Sequence, residues 1–508
     1  MRGVVAAGHP LTAAAGADVL REGGNAVDAA VACVLMSFVA ESALTGPGAG
    51  GFMLVHTASG EDHLLDFFVA APGRGLDGHE PVALTPIDVE FSKEAIQRFN
   101  VGPSSCGAYG TTLGMTEALE RFGTRPLAAL TGRPARAARE GVEVVPMQAF
   151  LFTVLEPILR STPECGELYA PGGRLLREGD RWRFPELGEL LDRLGAEGPG
   201  FLHSGDVAAT ASDHVLERGG LLSRADLAEY HVVEREPARV GYRGREVLTN
   251  PPPSSGGILI ADALGILERL DLPHDPSVIA EVIASTNRAR DQEFLTGLAS
   301  EGYLERFLAA DALDGVATEV RSRLLGNTTH ISVMDTEGAC ASVTCSNGSC
   351  SGVVVPGTGL HLNNMLGEED LNPAGYHLHE PGARVPSMMA PTVVLSDGRP
   401  ELALGSAGSN RIRSAILQTI LGVVDHGLQA QRAVSSPRLH VEGRELDAEP
   451  GIDEDALDRL VSADWTVRRW SEQNLFFGGV QAVARDQETG ELSGGGDPRR
   501  GGVATVVS

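Results

Sequence analysis

Lysine is nearly missing from this sequence. Of 508 residues only Lys93 is a lysine, and its setting, Phe91-Ser92-Lys93-Glu94, reads as an exposed turn of helix. A pyridoxal enzyme needs a lysine Schiff base, and a P-loop needs Gly-Lys-Ser/Thr. Lys93 suits neither chemistry. Positive charge is scarce in general: 41 Lys and Arg stand against 68 Asp and Glu, a net charge of −27. Such a surface disfavours nucleic acid and anionic membranes as partners. Six cysteines are too few for a secreted disulfide framework. The longest apolar run, Val27 to Ala40, contains Asp28 and Ser37 and is too short to span a bilayer. The opening Met1-Arg2-Gly3-Val4-Val5-Ala6-Ala7-Gly8-His9 is too short and too glycine-broken for a signal segment. The expectation is a soluble, cytoplasmic protein.

Glycine, by contrast, is abundant, with 63 residues in short clusters and no collagen-like period. Residues 11–22 read as a helix stopped by Gly23-Gly24. Asn25 then caps a second helix from Ala26 to about Ser42, with Asp28 in its first turn. Gly46–Gly51 leads into a strand-like Phe52-Met53-Leu54-Val55. Residues 76–110 read as irregular. Helical patterns run from Leu113 to about 325, and Asn250–Gly257, with three prolines and two glycines, breaks them. From Thr328 the pattern turns to short strands: Ile331 and Val333 alternate with His330 and Ser332, Asp335-Thr336-Glu337-Gly338 is a turn, and Ala339, Ala341 and Val343 return. Hairpins follow at 352–362 and 391–405, then a helix at 411–425 and late strands. No repeat and no long linker divides the chain.

Several motifs imitate known chemistry. Gly46-Pro47-Gly48-Ala49-Gly50-Gly51 matches the dinucleotide fingerprint in letters, but follows a helix and precedes a strand, the reverse of what that site needs. It reads equally as a tight loop near a substrate and as a plain turn. Cys340, Cys345 and Cys350 are spaced five apart, and His377 and His379 have no cysteine pair, so no metal site is expected. Gly348-Ser349-Cys350-Ser351-Gly352 resembles a nucleophile elbow without the strand-turn-helix setting. The sequons Asn327-Thr328-Thr329 and Asn347-Gly348-Ser349 have no meaning without secretion.

Gly326-Asn327-Thr328-Thr329-His330 differs from these. A helical region ends there and a hydroxyl residue opens a half-buried hairpin. Threonine becomes a competent nucleophile when its own α-amino group, freed by a cut before it, serves as base. That amine titrates at about 7.7–8.0, near the optimum for neutral pH. Thr-Thr at a strand start also has a purely conformational explanation in β-propensity.

Together these residues resemble the γ-glutamyltranspeptidases, of the N-terminal-nucleophile hydrolase superfamily. The resemblance is carried by His9-Pro10, Gly23–Ala30, Gly48–Phe52, Asn250–Gly257, Thr328–Val333, Pro356–Gly359 with Leu362-Asn363-Asn364, Met389–Thr392, Gly405–Gly408 and Asp497-Pro498-Arg499-Arg500. It implies an α+β, four-layer αββα fold. It implies self-cleavage between Asn327 and Thr328 into a large chain, 1–327, and a small chain, 328–508, intertwined as one domain. Thr328 would then be acylated and released by water or an acceptor amine, with no cofactor. By the same resemblance Ser346, displaced by one residue, assists the nucleophile. Asn347 contacts substrate, Glu368 or Glu369 grips the glutamyl amino group, and Ser387 holds the α-carboxylate. The N–H groups of Gly408 and Ser409 form the oxyanion hole, a role a glycine turn before a helix suits.

This chain also departs from the family pattern. Phe68, in Asp66-Phe67-Phe68-Val69-Ala70-Ala71-Pro72, stands where the family has the arginine that pairs with the substrate α-carboxylate. Met388 replaces the second serine of a pair, Met365 a glutamine, and Ser409 the second oxyanion glycine. The resemblance with its departures therefore implies a divergent paralogous branch, an autoprocessing threonine hydrolase or acyltransferase acting on a γ-glutamyl-like or other acylated small molecule with an altered substrate grip. The apolar replacements raise two alternatives, a carbon–carbon bond hydrolase of a specialised-metabolite pathway and an inactive paralogue serving as a binding scaffold. Oligomeric state is left open, a homo-oligomer included.

Overall fold

A computed structural model describes residues 2–92, 95–270, 275–298, 300, 302–309, 328–372 and 375–508. Two antiparallel sheets dominate. The first has seven strands in the order Val503–Val507, Gly3–Ala7, Thr329–Asp335, Cys340–Ser346, Gly50–His56, Asp62–Asp66 and Val233–Arg235. The second has six, in the order Leu492–Gly496, Gly479–Arg485, Arg399–Ala407, Thr392–Ser396, Arg245–Thr249 and Ala238–Tyr242.

Side chains alternate across a strand, and here each face meets a different layer. Val5, Ala7, Met53, Val55, Ile331, Val333 and Val343 pack with helices Pro10–Arg21 and Ala26–Ala40. Val4, Ala6, Phe52, Leu54 and Met334 point the other way, onto Val393, Leu395, Ala403 and Val483 of the second sheet. That sheet's outer face, with Val394, Leu402, Leu404 and Val480, packs on helices Ser255–Arg269, Pro276–Ala289 and Arg411–Val424. The result is αββα. Both faces of the central strands are covered, and the polar residues that alternate into the layer between the sheets are hydrogen-bonded there: Ser332 donates to the Gln481 carbonyl at 3.1 Å and Ser342 to the Leu404 carbonyl at 2.9 Å.

Local signals explain the element boundaries. Asn25 caps helix Ala26–Ala40 through a reciprocal pair. Its side chain accepts from the Asp28 N–H at 3.0 Å, and its own N–H donates to Asp28 at 2.8 Å. The Asn25 side chain also donates to the Phe122 carbonyl at 2.7 Å. Asn25→Ala is therefore expected to lower stability by about 1–2 kcal/mol, read as a shifted denaturation midpoint at unchanged m-value.

Three expectations need correction. Within 76–110 a hairpin forms, Thr85–Ser92 with Ala95–Val101, pairing Ile87 with Phe99 and Asp88 with Arg98. Ile87 and Val89 already alternate with Asp88 and Glu90, but Pro86 obscures the pattern. Lys93 itself lies outside the described residues, as do 310–327 and with them Asn327. The helical middle contains the strands Val233–Arg235, Ala238–Tyr242 and Arg245–Thr249, the latter two turned by Arg243 and Gly244, both at positive φ. Finally, helix Ser255–Arg269 begins inside the proline-glycine run. Gly256, in its first turn, has to be glycine because a Cβ there would lie 2.1 Å from the Met388 carbonyl oxygen.

The Asp497-Pro498-Arg499-Arg500 motif is a buried clamp. Arg499 donates to Glu449 at 2.7 Å, Arg438 pairs with Asp497 at 2.8 Å, and Asp497 accepts the Val480 N–H at 2.8 Å. The turn before the last strand is thus tied to the middle of the second sheet. Among the described residues no helix is long and apolar enough to cross a membrane.

Candidate active site

Thr328 lies at the point where the chain enters strand Thr329–Asp335, and it is buried. The register pairs Thr329 with Cys345 and His330 with Thr344, which sets Thr328 level with Ser346 at the end of the neighbouring strand. Thr328 and Ser346 both border a cavity of about 300 Å³. Its apolar wall is Phe68, Met365, Leu371, Met388 and Ile412, and its polar wall is Glu368, Asp370, Ser387 and Ser409. None of these lining side chains is cationic.

Phe68, which the resemblance sets in the place of an arginine, is fully buried and stacks on Phe52 with ring centroids 5.3 Å apart. Its backbone is held from both sides: its N–H donates to Asp66 at 2.9 Å, and its carbonyl accepts from the Tyr230 hydroxyl at 2.7 Å. The nearby Arg235 and Arg384 are occupied by Asp66, at 2.7 and 3.3 Å.

Ser387 is presented by the proline-glycine run. The Ser254 hydroxyl and the Ser255 N–H donate to its carbonyl at 3.0 and 2.8 Å, and Asn250 donates to the Met389 carbonyl at 2.9 Å. That explains why a loop distant in sequence shares the motif set. Of the two acids proposed for an amino group, the cavity takes Glu368; Glu369 is partly exposed and does not line it. Asn347 is buried but is not among the lining residues, and donates to the His361 carbonyl at 3.3 Å. Gly408 is likewise not among them, whereas Ser409 is.

Sequence reasoning missed Asp370. It is buried in the polar wall and accepts a hydrogen bond from the Ser409 hydroxyl. The Glu-Glu-Asp run was the available signal, but spacing alone does not say which carboxylate turns inward. Ser409 sits at φ 53 and Gly408 at φ 120, between strand Arg399–Ala407 and helix Arg411–Val424. A non-glycine residue in the left-handed region costs about 1–2 kcal/mol, and the bond to Asp370 offsets part of that.

Burial, and next the charge of Asp370, push the Glu368 carboxyl well above the usual carboxylate range. The folded protein then holds a proton that the unfolded chain releases at lower pH. Stability from this group is present at acid pH and declines as pH rises towards the raised value. Glu368→Gln is expected to flatten that decline, so a series of denaturation midpoints from about pH 5 to about pH 9 should fall less in the variant than in the wild type.

A second cavity, of about 640 Å³, lies against Thr328 from the other side and is bordered by His9, Glu41 and Arg500. Glu41 accepts from Thr329 at 2.5 Å and from Thr12 at 2.8 Å, anchoring the residue after Thr328. Gly8 makes room for this: a Cβ there would lie 2.6 Å from the Glu41 carboxylate. His9 caps helix Pro10–Arg21, accepting from the Leu11 N–H at 3.1 Å, and burial lowers it to about 4, so it is neutral.

The six cysteines are all buried and free. Burial raises Cys350 to about 12, and its thiol donates to the Ala43 carbonyl at 3.3 Å. A protonated, enclosed thiol is no nucleophile, so the elbow-like sequence around it is structural. His330, between Thr344 and Ser332 at 2.8 and 2.9 Å, is lowered by burial to about 3 and is also neutral.

Two sheets between helix layers, with a threonine opening a central strand at a cavity, define the N-terminal-nucleophile hydrolase architecture. The chain belongs to the γ-glutamyltranspeptidase family: the family model described as "Gamma-glutamyltranspeptidase" matches residues 12–507. The chain is 33% identical to "Acylase ACY 1 proenzyme" of Pseudomonas sp. (strain V22), over 100% of this chain and 94% of that protein. It is 30% identical to "Glutathione hydrolase proenzyme" of Bacillus subtilis (strain 168), over 100% of this chain and 92% of that one. Among solved structures it is similar to the cephalosporin acylase from Bacillus halodurans, with a TM-score of 0.84, 25% identity and coverage of 99% and 95%. These findings bear out the family resemblance and the four-layer fold, and identify the protein as an enzyme, a hydrolase or acyltransferase of this family.

Proposed function

We propose that this enzyme is a precursor that cuts itself between Asn327 and Thr328 and then hydrolyses an amide through an acyl ester on Thr328. The single observation that carries the reading is the placement of Thr328, level with Ser346 at the head of a central strand and facing the 300 Å³ cavity. Relatives named proenzymes support the cut. Chains 1–327 and 328–508 would remain interlocked, because each sheet takes strands from both sides of residue 327.

The steps follow from the groups present. Thr328 Oγ attacks the acyl carbon and its proton passes to the Thr328 α-amine. The oxyanion is met by the backbone N–H groups of Gly408 and Ser409. The α-ammonium returns the proton to the leaving amine as the C–N bond breaks. Water, or an acceptor amine, then attacks the ester carbonyl and frees Thr328. Ser346 supports the Thr328 hydroxyl from the adjacent strand end.

The cavity argues for an acyl group without an α-carboxylate. A free carboxylate needs a charged or multidentate partner, and Phe68, Met365 and Met388 line this cavity instead. Acylase-type substrates suit that wall better than glutathione does. The same apolar wall favours one further reading, an acyl group leaving a carbon atom rather than nitrogen: Thr328 attacks as before, the C–C bond breaks as the departing carbon takes the proton from the α-ammonium, and the hydrolysis of the ester is unchanged. Intact-mass spectrometry with a panel of amide and keto-acid donors tests the proposal. Two chains and a mass increment on the Thr328 chain are expected, and the released product distinguishes nitrogen from carbon as the leaving atom. A correctly cut protein that takes no increment from any donor would point to a binding scaffold instead.

A further inference from the structure

Arg500 is a buried cation that, among the described residues, has no ion-pair partner. Its Nε and Nη1 make no hydrogen bond, and its third nitrogen reaches only the Leu475 carbonyl, at 3.4 Å. Burial lowers it to about 10, so it keeps its charge at neutral pH. The two carboxylates that act on it are engaged elsewhere. Asp497 accepts from Arg438, Arg499 and the Val480 N–H. Glu41 accepts from Thr329 and Thr12, and burial raises its carboxyl above the usual range. A buried charge left in this way is costly, yet the fold sets space aside for it: a Cβ on Gly479 would collide with the Arg500 side chain. Arg500 borders the cavity of about 640 Å³, which lies on the other side of Thr328 from the cavity of Phe68 and Met388. His9 borders it too. The His9 Nδ1 accepts from the Leu11 N–H, which puts the proton of the neutral ring on Nε2, and that N–H is also without a partner. Leu44, Met147, Leu151 and Phe152 make much of the remaining wall apolar. A cation and a neutral donor, both unengaged, in an apolar chamber fit a carboxylate on an apolar body.

We propose that this second cavity takes the amine half of the substrate, and that this amine carries a carboxylate, which pairs with Arg500 and accepts from the His9 Nε2–H. The inference rests on the reading of Thr328 as the acylated residue. An amide attacked by Thr328 with its acyl group in the smaller cavity extends, across the scissile bond, to the other side of Thr328. The smaller cavity has no cation in its lining, so the capacity to hold a carboxylate lies on the amine side. When the C–N bond breaks, the departing nitrogen takes the proton of the Thr328 α-ammonium, and the amine is still held through its carboxylate. In the opposite sense the same amine attacks the Thr328 ester, gives its proton to the α-amine and forms the amide as the ester C–O bond breaks and Oγ is protonated. Arg500 and His9 are then specificity residues for the amine, and the apolar wall seats its body.

The test uses the full-length enzyme and two amines of one shape, 3-aminobenzoate and its neutral counterpart 3-aminobenzamide. In titration calorimetry at neutral pH the wild type should bind the carboxylate at least about tenfold more tightly. Arg500→Gln should abolish that difference, and Arg500→Lys should keep part of it, a rescue that a purely structural role would not give. The wild-type comparison stands by itself should either variant fold poorly. Equal binding of the two probes by the wild type overturns the proposal, as does an undiminished preference in Arg500→Gln, which would place the carboxylate elsewhere. The second arm follows the acyl ester on Thr328, formed from an acyl p-nitroanilide, by intact-mass spectrometry. At equal concentrations 3-aminobenzoate should clear the ester about tenfold faster than 3-aminobenzamide and emerge as the acylated amine, because its nitrogen is held facing the ester. An ester that both amines clear at the same rate sinks this inference alone, whereas no ester with any donor sinks the Thr328 reading and this inference with it.

Discussion

Thr328→Ala is expected to leave one uncut 508-residue chain with amide hydrolysis reduced about 10⁴-fold or more. The substitution removes the hydroxyl that would attack both the Asn327 carbonyl and the substrate. Without the cut the α-amine is never freed, so nucleophile and base are lost together, and such paired losses are not additive. The fold should survive. Thr328 precedes its strand and lines two cavities, so little packing is lost. Thr328→Ser keeps an oxygen in place and should still cut, more slowly. Denaturing gels, circular dichroism and turnover on one batch of protein decide the matter. Two chains from Thr328→Ala, or activity within tenfold of wild type, would rule out Thr328.

Phe68→Ala should destabilise the protein by about 3–5 kcal/mol, the range for emptying a buried aromatic site. Phe68 is fully enclosed, stacked on Phe52, and part of the apolar layer between the two sheets. The space it leaves cannot collapse easily, because Asp66 and Tyr230 pin its backbone. The denaturant midpoint should drop at constant m-value. Phe68→Arg, which restores the family's residue, should be worse still. The introduced charge would be buried beside a carboxylate already engaged by Arg235 and Arg384, and an unpaired buried charge is strongly destabilising. A stable, soluble Phe68→Arg enzyme would overturn this expectation, and its hydrolysis of glutathione would show that this one position sets the substrate class.

Much of the fold was legible because its signals are local. The cap at Asn25 and the hairpin beginning at Thr329 need only a few neighbouring residues to be recognised. The hairpin at Thr85–Val101 and the strands at Val233–Thr249 were harder to read. Pro86 disguised the first, and the second are short runs within a largely helical stretch.

The site was legible in parts. Thr328 and Ser346 are brought level by one hairpin register, which sequence alternation already implies. Which of Glu368, Glu369 and Asp370 faces the cavity was not, because that segment has no regular period beyond a short helical turn at Met365–Gly367. Asn347 shows the same limit: it follows Ser346 directly, yet its side chain turns to the His361 carbonyl.

By itself the sequence determined the family resemblance, with the layer order and the replaced arginine that it implies, and a threonine at the head of a strand-like run. Each of these depends on residue identity or on a repeat of two or about four residues. Only the tertiary structure decided the contacts that shape the site. Ser409 meets Asp370 across 39 residues, Ser254 meets Ser387 across 133, and Thr329 meets Glu41 across 288. Such pairings arise because stacked sheets and their covering helices bring distant segments together, and no local periodicity records which side chains will then face each other.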